Sequence, residues 1–248
     1  MDAAPATTTD ALLGGRLTIR QPAQGYRVAI DPVLLAAAVD AHAGEQVLDL
    51  GAGVGAAALC LAARVEGVAV VGVELQAALV DLAVANIADN RLQSRVRAVC
   101  GDITRLAPAL AIETFDHVMA NPPFEVAGTG TRSEDASKDA ANVEGEAELA
   151  EWIQAAFRYV KPRGSVTFVH RADRLPAVLE AFARHGGGTT VFPLWPRARV
   201  DAKRVLVQAL KGSRAPARLA AGLFLHGEGG AYTAAAEAVL RDGQALRL

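Results

Sequence analysis

A doubly wound α/β fold with a mostly parallel sheet is the class this sequence predicts, and three observations predict it. Short apolar segments of strand length alternate with segments of helical period from residue 46 onward. A glycine-rich turn, Gly51-Ala52-Gly53-Val54-Gly55, joins the first buried strand to the helix after it. Each of the first four strands in that alternation ends at or beside a polar residue, namely Asp49, Glu74, Asp102 and Asn121.

The elements follow in order. Residues 1–14 read as a loose tail, and Leu17–Arg20 as a short strand closed by Gln21-Pro22. Asp31-Pro32 before an apolar run reads as a helix start, with Asp as cap and Pro at the first helical position. Strands are expected at Gln46–Leu50, Val68–Val73, Val96–Cys100 and Phe115–Ala120, with helices at Ala56–Arg64 and Gln76–Ala88 between them. Residues 121–147 hold Pro, Gly, Ser, Thr and acids without periodicity, the pattern of a long functional loop. Leu149–Val160 and Leu175–His185 read as helices, and Ser165–His170, Thr189–Phe192, Arg204–Leu210 and Leu219–His226 as strands. Ala234–Leu240 closes the chain as a helix. No repeat or linker splits it, so the expectation is one domain over 1–248, with 1–43 as an N-terminal segment and 44–248 as the core.

Composition bounds the partners. The 248 residues carry 25 Lys and Arg against 27 Asp and Glu, and 52% are hydrophobic, so the chain is globular and not uniformly basic. No apolar run reaches the ~18 residues of a membrane span, and the first ten residues show no signal-peptide pattern. Cys60 and Cys100 lie in apolar segments and read as buried thiols of a reducing compartment, which places the protein in the cytoplasm. The five histidines, His42, His117, His170, His185 and His226, have no metal-ligand spacing, so no metal is expected.

The strand-end residues carry the chemistry. Ligands of open α/β sheets sit at the carboxyl ends of the strands. In strand order 3-2-1-4 the four acceptors form a row, Asp102, Glu74, Asp49, Asn121, spanning about 14 Å at ~4.8 Å per strand. That row suits an extended nucleoside with a reacting partner at one end. Glu74 lies 23 residues after Gly51, near the ~20-residue offset of an acid that binds ribose hydroxyls. Leu75 follows it at the same rim. Asp102 can accept from an adenine amine while the Ile103 N–H donates to the ring. Gly51, Ala52, Gly53 and Gly55 let a ligand approach the backbone. The letters also satisfy G-x-G-x-x-A, so a nicotinamide-dinucleotide oxidoreductase is a competing reading. Asp49 beside the turn disfavours pyrophosphate and favours an ammonium or sulfonium group. S-adenosylmethionine has both and no phosphate. No Tyr-x-x-x-Lys pair supports hydride chemistry.

Asn121-Pro122-Pro123-Phe124 is the most specific feature. An aromatic or amide amine has its lone pair delocalised and is a poor nucleophile. The Asn121 side-chain carbonyl and the Pro122 backbone carbonyl can each accept one amine hydrogen and free that lone pair. The prolines fix φ and hold the carbonyls in place. Phe124 can stack on a planar substrate.

Over about residues 44–195 the sequence resembles class I methyltransferases that act on planar amines. The resemblance rests on the acidic-x-Gly-x-Gly turn, the acids after strands two and three, and Asn-Pro-Pro-aromatic. Within that class it is similar to the tRNA(Val) adenine amino methyltransferases, which modify the adenosine beside the anticodon. Gly25-Tyr26-Arg27 with Asp31-Pro32-Val33-Leu34-Leu35, Val169-His170-Arg171-Ala172-Asp173-Arg174-Leu175, and Pro193-Leu194-Trp195-Pro196-Arg197 with Lys203-Arg204-Val205-Leu206-Val207 support that choice. The signature ends in Phe124 where several relatives have Tyr. The resemblance implies a Rossmann-like sheet of order 3-2-1-4-5-7-6, S-adenosylmethionine as cofactor, a tRNA substrate, and Tyr26 and Asp31 closing over the methionine part. The same site would serve a protein glutamine amide or a base of rRNA or DNA. Between residues 195 and 220, Arg197, Arg199, Lys203, Arg204, Lys211, Arg214 and Arg218 face only Asp201, a candidate phosphate-binding stripe. The 121–147 loop is acidic (Glu134, Asp135, Asp139, Glu144, Glu146), with Arg132 and Lys138 as its cations.

Overall fold

The computed structural model describes residues 6–24, 27–105, 110–123 and 149–248. A hairpin of β1 (Thr7–Leu12) and β2 (Leu17–Pro22) precedes α1 (Asp31–Ala38). Then follow β3 (Gln46–Leu50), α2 (Ala56–Arg64), β4 (Ala69–Glu74), α3 (Ala77–Asp89), β5 (Val96–Cys100) and β6 (Phe115–Ala120). The rest is α4 (Leu149–Tyr159), β7 (Val160–Arg171), α5 (Leu175–Ala183), β8 (Gly186–Trp195), β9 (Arg204–Lys211), the short β10 (Arg218–Leu219) and β11 (Leu223–Phe224), and α6 (Ala234–Leu240).

The main sheet runs β5-β4-β3-β6-β7-β9-β8, with β10 and β11 both along the outer side of β8. Counted from β3 this is 3-2-1-4-5-7-6, the expected order. Only β9 runs against its neighbours. Leu50 pairs with both Val73 and Ala120, and Glu74 with Cys100, so the carboxyl ends of β3 to β6 are level. Strand alternation sorts the side chains onto two faces. Leu48, Leu50, Val118 and Phe168 pack with Trp152, Phe157 and Phe182 of α4 and α5. Val47, Met119 and Val169 pack on the other face with Leu34 and Leu35 of α1, Leu59 of α2 and Val239 of α6. Asp49 and Asn121 fall on this second face by the same period.

Five expectations need correction. Residues 7–12 of the supposed tail form β1, pairing from Thr7↔Pro22 to Leu12↔Leu17. The strand has no buried side, so TTTDAL shows no apolar period. Strand β8 begins three residues early, at Gly186-Gly187-Gly188, and runs on through Pro193 to Trp195. The glycines are there because neighbours are close: a Cβ on Gly186 would sit 2.7 Å from the Phe157 ring. The span 219–226 is not one strand but two dipeptide strands, broken at Gly222 (φ +82°). Asp31 does not cap α1; the cap residue is Ile30, whose side chain has no acceptor, and the Asp31 carboxylate, inside the first turn, accepts from Arg204. Cys60 is buried, its thiol pushed up to about 12 by desolvation. Cys100, by contrast, is exposed, at the end of the edge strand β5.

Candidate functional site

The glycine turn takes its shape from alternating positive φ at Gly51 (+67°), Gly53 (+54°) and Gly55 (+88°), the last capping α2. A Cβ at Gly51 would also meet the Trp152 ring at 2.5 Å. Gly72 on β4 makes room for Ala52, whose N–H donates to the Val73 carbonyl at 2.9 Å. The turn is thereby fastened to the strand that carries Glu74. One Glu74 oxygen accepts from the Gly53 N–H (2.9 Å), the other from the Gln76 N–H (2.9 Å). Each oxygen keeps a second acceptor site for a diol.

Asp49 is buried, and its Oδ2 has no hydrogen-bond partner among the described residues. Burial pushes the carboxyl up to about 8, opposed by the Ala58 N–H and reinforced by the charge of Glu74. A buried, unanswered carboxylate oxygen beside a backbone turn is a site for a cation. Asp102 accepts from the N–H (2.8 Å) and hydroxyl (2.7 Å) of Thr104 through Oδ1, and these bonds hold its pKa below the ordinary range. Leu75 projects from the rim after β4 at 65% exposure, while Ile103, in the turn after β5, is buried. Asn121 and Pro123 are half-buried and Pro122 is buried, directly after β6. The predicted row Asp102, Glu74, Asp49, Asn121 is therefore assembled along one edge. Tyr26 and Phe124 lie outside the described residues, as do Arg132, Lys138 and the acids of the loop.

Asp31 belongs to a neighbouring cluster. Its carboxylate pairs with Arg204 of β9 at 3.2 Å; burial raises its pKa and Arg204 opposes the rise. The approach to α1 is set by buried Gln21, which accepts from the Val28 N–H (2.7 Å) and donates to Asp10 (2.6 Å), while Arg27 pairs with Asp10 at 2.7 Å.

Three residues escaped sequence reasoning. Asn86 on α3 and Asn90, the residue that caps its C-terminus, stand about one turn apart. Each presents its side-chain amide to one residue of β2: Asn86 accepts from the Arg20 N–H (2.7 Å) and donates to the Arg20 carbonyl (2.9 Å), and Asn90 does the same for Thr18 (2.9 and 2.7 Å). Four helical residues rise about 6.0 Å and two strand residues about 6.7 Å, so the two spacings match. Asn86 also donates to the Val54 carbonyl at 3.0 Å, joining the hairpin to the glycine turn. A buried Asn at an apolar helical position was the available signal. Trp152, whose ring covers Gly51, carried none.

The basic stripe is not one surface. Arg204 lies at the carboxyl-end rim, opposite Arg171 and Leu194, whereas Lys211 is at the far end of β9, opposite Gly186. Seven strand steps, about 23 Å, separate them. Arg204 is held by Asp31 and Lys211 by Glu113 (2.8 Å). Arg197, Arg199 and Lys203 are exposed in the β8–β9 loop at the rim, and Arg214 and Arg218 lie away from it.

A Rossmann-like sheet of this order, with three acids and an Asn-Pro-Pro turn along its carboxyl edge, defines the methyltransferase class. The chain belongs to the methyltransferase small domain family, whose model matches residues 27–182. It is 31% identical over 152 residues to the tRNA1(Val) (adenine(37)-N6)-methyltransferase of Haemophilus influenzae, covering 61% of this chain and 64% of that protein. A protein of the same name from Porphyromonas gingivalis is 31% identical over 173 residues, 67% of each chain. The match thus spans about two thirds of the length of these two relatives. A crystal structure from Agrobacterium tumefaciens, described as a predicted O-methyltransferase, superposes with TM-score 0.73 at 29% identity, covering 88% of this chain and 98% of that one. The residues present fit S-adenosylmethionine: the unanswered Asp49 oxygen suits its cationic end and the Glu74 carboxylate a ribose. The family match also removes the nicotinamide reading. Among the described residues no group of three metal-ligating side chains occurs and no helix is long and apolar enough to cross a membrane.

Proposed function

We propose that the chain methylates the exocyclic amine of an adenine in RNA, in tRNA beside the anticodon, using S-adenosylmethionine. The observation that carries this reading is the position of Asn121-Pro122-Pro123, one strand from Asp49 at the end of the acid row. The bound cofactor supplies an activated methyl group on a sulfonium. The chain's own residues do the rest. Asp102, Ile103 and Leu75 hold the adenine end, and Glu74 holds the ribose. Gly51, Ala52, Gly53 and Gly55 line its path, and Asp49 neutralises the amino-acid end. Asp31 and Tyr26, in the 1–43 segment, cover it. The Asn121 carbonyl and the Pro122 carbonyl each accept a hydrogen bond from the amine, Pro123 and Phe124 fix the plane of the base, and the proton released on methylation goes to solvent. The acceptor nitrogen loses its proton readily once alkylated, so no strong general base is required.

The relatives' names support an adenine in tRNA, and the exposed rim cations support a polyanion. An acceptor hydroxyl, as the Agrobacterium protein's description would have it, needs no pair of carbonyls set to receive two hydrogens. The test is methylation of unmodified tRNA transcripts followed by nucleoside mass spectrometry. N6-methyladenosine next to the anticodon is expected. Label appearing in total protein or rRNA, with none in tRNA, overturns the tRNA assignment and moves the same site to a glutamine amide or another base.

A further inference from the structure

We infer that the end of β8 with its following loop is a docking platform for single-stranded RNA flanking the reacting base. Phe224 would be the stacking face, and Arg197, Arg199 and Lys203 the phosphate contacts. The inference rests on the RNA reading above and locates the partner on the molecule.

Two features coincide there. The first is an aromatic face left open. Phe224 is 45% exposed, pairs in register with Trp195, and stacks on it at 6.2 Å between centroids and 26° between planes. The Trp195 N–H donates to the Ala221 carbonyl at 3.1 Å, which fixes the indole under the Phe224 ring. Leu219, 74% exposed on β10, continues the apolar strip along the outer side of β8. The second feature is charge. Arg197, Arg199 and Lys203 are exposed, none has an ion-pair partner among the described residues, and Asp201 is the only acid between Trp195 and Arg204. The Val200 N–H donates to the Arg197 carbonyl (3.3 Å), and the Ala172 N–H to the Lys203 carbonyl (3.0 Å), so the loop backbone is held at the rim. An open aromatic face beside unpaired cations is the combination that binds single-stranded nucleic acid, because every base offers a π-face and every linkage a phosphate. The order β6-β7-β9-β8, with β11 outside β8, puts Phe224 four strands, about 19 Å, from Asn121. That distance separates the platform from the reacting base and leaves neighbouring nucleotides within reach.

The test measures tRNA affinity by filter binding against salt, independently of methyl transfer. Phe224→Leu keeps an apolar side chain and removes the aromatic face; it should weaken tRNA binding about 10-fold with cofactor affinity unchanged. The triple variant Arg197→Gln, Arg199→Asn, Lys203→Gln should flatten the log–log salt slope by about 2, at ~0.7 per phosphate contact. Arg214→Gln, at the far end of β9, should change neither. Wild-type affinity and slope in both platform variants overturns the inference even where tRNA is methylated. Weakened binding by a protein that does not methylate tRNA upholds the platform and sinks the proposed reaction. A shift from dimer to monomer in Phe224→Leu on size exclusion, with tRNA affinity intact, overturns it in favour of a self-association surface.

Discussion

The carboxyl rim of the sheet has two halves of opposite character. Over β3, β4 and β5 stand Asp49, Glu74 and Asp102, each met by backbone N–H groups, with Asp49 Oδ2 left without a partner among the described residues. Over β7, β8 and β9 stand Arg171, Arg174, Arg197, Arg199, Lys203 and Arg204. Asn121 sits at the divide. One half is a preformed acceptor set for an extended nucleoside with one cationic end, and Glu74 and Asp102 in it are fixed by hydrogen bonds. In the other, Arg171 and Arg204 are paired with Asp173 and Asp31, and Arg197, Arg199 and Lys203 stand exposed, suited to a polyanion that is large and held mainly by charge. On the proposed reading a neutral amide suits the position between them. A carboxylate at 121 would repel phosphates, and a cation there would repel the sulfonium.

The strongest way to break this comparison is Asn121→Ala. Turnover should fall by about 10²–10³, as for loss of one preorganised polar group, with cofactor affinity nearly intact by calorimetry. Loss of cofactor binding with unchanged turnover per bound cofactor would remove Asn121 from the acceptor side. Next in size is Asn86→Leu. It leaves the Arg20 N–H, the Arg20 carbonyl and the Val54 carbonyl without their amide, at about 1–3 kcal/mol for each buried group left unmet. The thermal midpoint should drop by several degrees and cofactor affinity should fall, whereas Asn90→Leu, at a more exposed position, should cost about 1 kcal/mol or less. Equal effects in the two variants would show that the Val54 link is unimportant.

The last and most discriminating change is Asp49→Asn. Cofactor affinity should weaken about 10–100-fold, the value of a charge-assisted contact, while the ligand-free protein becomes more heat-stable. The sign follows from the raised pKa. The unfolded carboxyl loses its proton near 3.8 and the folded one near 8, so the folded state binds more protons between these values. The Asp49 contribution to stability is therefore full below about 3.8 and lost as pH rises through about 8. A bound cation favours the ionised form, so cofactor affinity should rise from pH 6 to pH 8 in the wild type and stay flat in Asp49→Asn. A flat wild-type profile would show that Asp49 does not meet the cation.

The acid half of the rim was legible in the sequence because each of its residues is local to a strand end, where a short pattern of apolar run, polar residue and turn marks it. The strand order came from the family resemblance, since no local pattern tells which strands lie side by side. The cationic half was misread as a stripe. Residues 197 to 218 are close in sequence, but β9 is antiparallel and carries its two ends to opposite poles. The Gly186–Gly188 start of β8 was hidden because its residues are chosen for close approach and not for strand propensity. The Asn86 and Asn90 contacts reach across 66 and 72 residues to backbone atoms, and side-chain-to-backbone pairing over such a distance leaves no period to detect.

That pairing has a consequence for how the chain can vary. The two amides work only while helical pitch and strand pitch stay in step. Adding or deleting one residue between Thr18 and Arg20, or between Asn86 and Asn90, would leave one of them facing a side chain instead of a peptide group. The clasp therefore behaves as a ruler: it tolerates many substitutions around it and no change of length within it.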